Sequence, residues 1–551
     1  MPLTATAGTV ERREVPLEMS PEEFRSAGYR LIERIADLLG SVSTGPVTPG
    51  ELPKTIREVL GGGSLPETGA PAVRLLDETA SLLIDHSLFN AHPRFMGYIT
   101  SPPAPIGVLG DFLAAAVNAN CGAWVLAPIA TEIEAQAIRW IAELIGYPND
   151  CGGLLVSGGN MANFVGFLAA RRAKAKWDIG AVGMAPQSAG RMRVYVSSET
   201  HTWIHKAADL FGLGTGSIRW IPADDSLRIS TALLRRQIRE DLENGDLPFL
   251  IVANAGSVST GAIDPLPELA AIAREYGLWL HADGAYGAVA AVLPDAPADL
   301  RGLAEADSVA VDPHKWLYAP LEAGCGLVRD RKALRDAFSY GAPYYHFEGD
   351  GTEVLNYFEY GMQNSRGFRA LKVWLALRHA GREGYARMIA DDIRMAEALH
   401  RFATEEPELQ VFPRGLSITT FRYVPRDLRP AVTAGVSEVE AGFSPAPSPV
   451  APDVEVVFSP APAAQASGSD STNSDNNVES YLNKLNTQLL NRLQASGEAF
   501  LSNAVIGGAF VLRACIVNFR TSIDDVRAVT QIVVRMGREL DATLRPAELK
   551  E

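Results

Sequence analysis

Between residues 153 and 330, short apolar runs rich in β-branched residues take turns with helical patterns, and this alternation limits the possible folds more than any other feature of the chain. The runs are LLVSGG, RVYVSS, IRWIP, FLIVANAG, LWLHADG, SVAVDPHK and GCGLVRD. Between them lie MANFVGFLAARRAKA, TWIHKAADLFG, TALLRRQIREDL and PELAAIAREYG. Neighbouring parallel strands need a crossover, usually a helix, so the alternation predicts a mainly parallel sheet covered on both faces. The expectation is one large α/β unit built on seven strands. Ligands of such sheets bind beyond the carboxyl ends of the strands, so function is sought in the residues that follow each run.

The flanks read differently. In SPEEFRSAGYRLIERIADLLG, at 20–40, Ser20 and Glu23 form a capping-box pattern, and Phe24, Leu31, Ile32, Ile35, Leu38 and Leu39 recur at helical spacing. The stretch 41–65 is loop-rich, and PIATEIEAQAIRWIAELIGYP, at 128–148, is a second amphipathic helix ended by Gly146 and Pro148. Residues 366–404 look helical; beyond them LSITTFRYV and GAFVLRACIVNF bracket the helix YLNKLNTQLLNRLQAS, which predicts a small α+β domain. Residues 429–478 interrupt it with Pro, Ala, Ser, Asp and Asn and a repeated FSPAP, a composition that cannot bury enough surface to fold by itself. The expected organisation is a helical segment over 1–95, a large domain over 96–390 and a small domain over 391–551 with that insertion.

Composition narrows the functional classes. Of 551 residues, 50 are Lys or Arg and 65 Asp or Glu, and a net charge of −15 argues against a broad nucleic-acid or anionic-membrane surface. The four cysteines, Cys121, Cys151, Cys325 and Cys515, lack metal-ligand or redox spacing and read as buried thiols of a reducing compartment. With no apolar run of signal-peptide type or membrane-spanning length, a cytoplasmic protein is expected.

Four strand ends carry unusual residues. After the first comes Ser157-Gly158-Gly159-Asn160, which is either a tight turn with an Asn cap or a backbone cradle offering helix N–H groups to an anion. The second leads to His201, by itself an ordinary cap or surface residue, and the fifth to Asp283, followed by Gly284-Ala285-Tyr286-Gly287. The sixth leads to His314-Lys315-Trp316, where flanking aromatics would partly desolvate the lysine and favour the neutral amine that forms imines. An amine nucleophile, a stacking ring, a carboxylate and a phosphate cradle together are the parts that hold pyridoxal phosphate.

The motifs SGGNMAN, ETHTWIHKAADLFGLG, NAGSVSTGAIDPL, HADGAYGA and VDPHKWL resemble the group II pyridoxal-phosphate-dependent amino-acid decarboxylases, which include the aromatic-L-amino-acid, histidine and glutamate enzymes. The resemblance runs from about residue 20 to 540 and implies the PLP-dependent transferase fold type I and a homodimer with sites at the subunit interface. It implies that Lys315 carries the cofactor, His201 stacks on its ring, Asp283 pairs with the ring nitrogen and Ala285 packs against the ring. Gly159, Asn160, Ser257, Asp312 and His314 would hold the phosphate, and Ser365 would reach the neighbouring subunit's phosphate. Two departures stand out: Gly159-Asn160 replaces the Ala-Ser of the aromatic enzymes, and Asp312 stands where they often have Asn. A carboxylate there would repel phosphate unless protonated or paired elsewhere.

Within FSYGAPYYHFEGDG, Tyr344 aligns with the family's proton-donating loop tyrosine, with Tyr345 beside it; a Phe there would suggest a relative that forms aldehyde. Tyr98, Ile99, Ser101, Asn120 and Gly122 match the family's substrate pocket, which suits an apolar side chain; Asn120 and Gly122 remove bulk and add a polar group. The resemblance therefore implies decarboxylation of an L-amino acid, with aromatic substrates expected first. The rival readings are an aldehyde synthase, an aminotransferase using Arg513 or Arg520, a decarboxylase of acidic or polar amino acids, and a non-catalytic scaffold.

Overall fold

A computed structural model describes residues 15–184, 190–340, 354–430 and 475–550. All seven expected runs are strands: β1 Gly152–Val156, β2 Met192–Ser197, β3 Ile218–Ile221, β4 Leu247–Asn254, β5 Trp279–Asp283, β6 Ser308–Val311 and β7 Gly324–Val328. They form one sheet in the order β1-β7-β6-β5-β4-β2-β3. Pairing is parallel from β3 to β6, and β7 runs antiparallel to both β6 and β1. One reversed strand thus joins two parallel parts, and the carboxyl ends of β1, β2, β4, β5 and β6 all open on the same edge.

Helices cover the sheet. Before it come α1 Pro21–Ser41, α2 Pro53–Leu60, α3 Ala72–His86, α4 Pro105–Val117 and α5 Pro128–Leu144. Within and after it come α6 Gly159–Lys174, α7 Ile179–Val182, α8 Trp203–Leu210, α9 Thr231–Glu243, α10 Leu266–Tyr276, α11 Arg331–Phe338 and α12 Ala370–Glu405. The capping box of α1 forms as its sequence predicts: the Ser20 hydroxyl accepts from the Glu23 N–H and the Glu23 carboxylate accepts from the Ser20 N–H. Yet α1 buries only Ala27, and Phe24 and Ile32 of its apolar stripe stay 52% and 41% exposed. By contrast α5, with Ala137, Ile138, Ile141 and Leu144 inward, is part of the main core. The stretch read as loop-rich contains α2, an eight-residue helix too short to show a period. Gly381, at φ +67°, breaks the long α12.

Behind the large sheet lies an antiparallel one, β10-β11-β9-β8, made of β8 Leu409–Val411, β9 Ile418–Tyr423, β10 Ser502–Ile506 and β11 Ala509–Cys515. It packs against α13 Asp475–Ser496 and α14 Ile523–Leu544, with Leu482, Leu485, Leu489, Phe421, Val526 and Val533 in a second core. Two strands and one helix of this unit follow the sequence reading, whereas β8, β10 and α14 are additions. The helix α13 reaches back to Asp475, into the segment read as an insertion; residues 431–474 lie outside the described residues. No helix among the described residues is long and apolar enough to cross a membrane.

Candidate active site

The strand ends converge on a cleft of about 380 Å³. From β1 the chain turns through Gly158 at φ +122° and enters α6 at Gly159, so the N-terminus of α6, with its unpaired N–H groups, lies at the cleft and its first residue adds no side chain there. A Cβ on Gly159 would stand 2.6 Å from the Asp312 Oδ2, so glycine is required where Asp312 comes this close. His201 follows β2, Asn254 and Ser257 follow β4, Asp283 and Ala285 follow β5, and Asp312, His314 and Lys315 follow β6.

Each charged group has a defined setting. The Asp283 Oδ2 accepts from the Trp203 Nε1–H at 2.8 Å, and its Oδ1 accepts from the Ala285 N–H at 3.3 Å. His201 stands open to the cleft, and its Nδ1 accepts from the Trp203 backbone N–H at 3.2 Å. The protein around His201 desolvates it and, with the Lys315 charge, holds its pKa below the usual imidazole range despite the opposing pull of Asp283. Lys315 Nζ lies 3.0 Å from Asp312 Oδ2, and His314 Nε2 lies 3.8 Å from the same oxygen. Burial likewise depresses His314, whose Nδ1 meets the Ala323 carbonyl at 2.6 Å. The departure from Asn at 312 therefore supplies a carboxylate paired to lysine, and its other oxygen, Oδ1, is buried with no partner among the described residues.

These residues fit pyridoxal phosphate. A helix N-terminus that opens on Gly159 suits a phosphate, Asp283 a protonated ring nitrogen, Ala285 the flat face of a ring, and Lys315 the aldehyde carbon. Ser257 also lines the cleft, with its hydroxyl engaged in its own turn through the Ala262 N–H at 3.2 Å.

The remaining expected residues sit elsewhere in the chain. Of the pocket residues, Ile99 lines the cleft. Ser101 is one layer back, buried, its hydroxyl donating to the His314 carbonyl at 3.0 Å. Tyr98 is 53% exposed at φ +51°. Asn120 spends its side-chain oxygen on the Gly122 and Arg366 N–H groups, each at 3.1 Å, and a Cβ on Gly122 would collide with the Asn364 carbonyl. This pair thus braces the 364–366 turn, which Arg366 locks from below through its buried ion pair with Glu134. Ser365, on the same turn, is exposed, and Tyr344 and Tyr345 lie outside the described residues. Sequence reading assigned no role to Asn254 or Trp203. Asn254 closes β4 and bonds to Asp264, whose carboxyl burial pushes up to about 6. Its place at a strand end was the one available signal.

The chain matches known proteins along almost its whole length. The pyridoxal-dependent decarboxylase conserved domain matches residues 54–424. An aromatic-L-amino-acid decarboxylase of Bacillus atrophaeus is 31% identical over 95% of this chain and 97% of its own. A phenylacetaldehyde synthase of a Rosa hybrid cultivar is 28% identical over 90% of each. Among solved structures, Oryza sativa TDC with PLP and tryptamine superposes with a TM-score of 0.79 at 26% identity, covering 96% of this chain and all of that one. With cleft geometry, fold and sequence in agreement, the chain belongs to the pyridoxal-dependent decarboxylase family, as a pyridoxal-phosphate-dependent amino-acid decarboxylase.

Proposed function

We propose that the enzyme converts an aromatic L-amino acid to its amine and carbon dioxide. The observation that carries this reading is the meeting of Lys315, Asp283 and His201 in one cleft beside a bare helix N-terminus. The aromatic side chain is supported by relatives described as aromatic-L-amino-acid, tyrosine and tryptophan decarboxylases.

Bound pyridoxal phosphate supplies an electron sink for the carbon–carbon cleavage. The chain's own residues do the rest. Lys315 would anchor the cofactor through its amine, and Asp312 would hold the lysine's ammonium whenever that amine is free. Asp283 would keep a proton on the ring nitrogen, Ala285 would pack against the ring, and His201, held neutral by its surroundings, would stack on it. Gly159 and Asn160 hold the phosphate, helped by Ser257 and His314. Tyr344 delivers the proton to Cα.

The active form is a homodimer. Its support is the apolar surface left by the N-terminal helices: Leu83, Leu109, Phe112, Leu113, Val117 and Ile129 are each 48% or more exposed. In the dimer Ser365 reaches the partner's phosphate, and Tyr98 joins Ile99 in the substrate pocket, which Ser101, Asn120 and Gly122 support from the layer behind through the His314 carbonyl and the 364–366 turn. Four buried thiols suit a reducing cytoplasm.

The test is a screen of the proteinogenic amino acids and dihydroxyphenylalanine for amine and carbon dioxide. Equimolar release from an aromatic substrate is expected; turnover confined to acidic or polar amino acids would overturn the substrate class. The likeness to a phenylacetaldehyde synthase favours one second reading, oxidative formation of aldehyde. Hydrogen peroxide in the same assay distinguishes it, and tyrosine at 344 argues for amine.

A further inference from the structure

We propose that Trp203 is a positioning residue that orients the Asp283 carboxylate toward the cofactor's ring nitrogen. An indole N–H is a donor only, and when buried it must find an acceptor. Trp203 is wholly buried, and its Nε1–H is given to Asp283 Oδ2 at 2.8 Å. Asp283 lines the cleft, and that bond occupies one of its carboxylate oxygens while Oδ1 has the longer contact from the Ala285 N–H.

The indole is itself held in place. It meets Phe164, Phe167 and His281 edge to face, at ring separations of 6.5, 6.4 and 5.7 Å. The His281 ring is pinned at both nitrogens, by Ser308 Oγ at 2.8 Å and Asn163 Oδ1 at 2.7 Å. The carboxylate's orientation is therefore set by a stack rooted in β5, β6 and α6 rather than by the loop that carries Ala285. The same residue also holds a second group that lines the cleft. As the first residue of α8 its backbone N–H has no partner within the helix, and it goes to His201 Nδ1. One tryptophan thus ties the carboxylate and the stacking imidazole to a single rigid point.

The inference rests on Asp283 facing the ring nitrogen, and the experiment separates the two ideas. Apoenzyme is titrated with pyridoxal phosphate and with its 1-deaza analogue, in which CH replaces the ring nitrogen. Trp203→Phe should bind pyridoxal phosphate about tenfold more weakly, the worth of one charge-assisted hydrogen bond, and the deaza analogue as the wild type does. Because a buried indole also packs, the same comparison is made with β-(3-benzothienyl)alanine at position 203, which keeps the shape and removes the N–H. Equal loss for both ligands, or no loss for either, overturns the proposal. Asp283→Asn serves as the reference: if it too fails to discriminate between the ligands, the placement of the ring nitrogen is wrong. If it discriminates while both 203 variants do not, only the role of Trp203 falls.

Discussion

Lys315 and Asp283 occupy the same cleft, but their substitutions should fail in different ways. Lys315 is not a core residue and, among the charged groups of the described residues, pairs with Asp312 alone within 4 Å, so Lys315→Ala should stay folded while losing the visible absorption of covalently bound cofactor and all turnover. A variant that keeps the band would move the anchor to another lysine. Asp283→Asn keeps the shape and its Trp203 contact but loses the anion that stabilises a ring proton. Preorganised contacts of this kind are worth about 3–4 kcal/mol, so turnover should fall by at least a hundredfold, measured as initial amine formation at saturating substrate. For Tyr344→Phe the expected change is in product: with no phenol to protonate Cα, dioxygen competes, and aldehyde with peroxide should rise at the expense of amine under air. Unchanged amine as the main product would pass the role to Tyr345.

Between the cleft and the second core runs a buried carboxyl that links elements. Asp392 of α12 accepts from Trp316 Nε1 at 2.8 Å and Tyr318 Oη at 2.7 Å, clamping the turn that carries Lys315. Burial pushes this carboxyl up to about 7, and Asp264 under Asn254 up to about 6, from 3.8. A raised folded pKa means that the folded state binds more protons than the unfolded state across that interval. Their contribution to stability is therefore complete below about pH 4 and is lost as pH rises toward 7. Melting temperatures across this range should show a shallower pH dependence for Asp392→Asn than for the wild type; identical slopes would assign the effect to other groups. Residues 431–474 join β9 to α13 along the chain. The flanking β9 and α13 meet directly through Asn486, whose side chain bonds to both backbone groups of Tyr423. Replacing the segment with a short Gly-Ser linker should leave melting temperature and turnover nearly unchanged, since closure entropy varies slowly with loop length.

At the scale of the whole molecule, the apolar surface left on the N-terminal helices is what the proposed dimer would cover. Phe112 and Leu113 of α4, Leu83 of α3 and Ile129 of α5 are half or more exposed or close to it. A charge placed there must be desolvated if the surface pairs with a second copy. Leu113→Asp should therefore yield a monomer in sedimentation velocity, with turnover lost in proportion to the dimer. A monomeric wild type with full activity would remove the need for any partner residue at the site.

Local patterns make the seven strands legible, because a strand buried on both faces and followed by a helix leaves a signature over fewer than ten residues, and the edge on which ligands bind follows from that topology. For the same reason Lys315, Asp283, His201 and Gly159 could be picked out one strand end at a time, and the resemblance carried by their motifs named a cofactor for them. What stays invisible in sequence is whatever depends on how elements meet. The capping box and period of α1 foretell a helix, yet its apolar stripe is only partly covered by the described residues. Asn120 and Gly122 read as pocket residues, but their polar atoms and space go to the 364–366 turn. The short α2, β8 and β10 carry too few residues for a period to stand out. Asp312 reads as a flaw in a phosphate cradle until Lys315 is seen 3.0 Å away. Trp203 reads as one more core aromatic until its N–H is traced to a carboxylate 80 residues along the chain. Period and motif are properties of neighbouring residues and are written in the sequence; the partner of a buried donor or charge is chosen by distance in space, which only the packed chain decides.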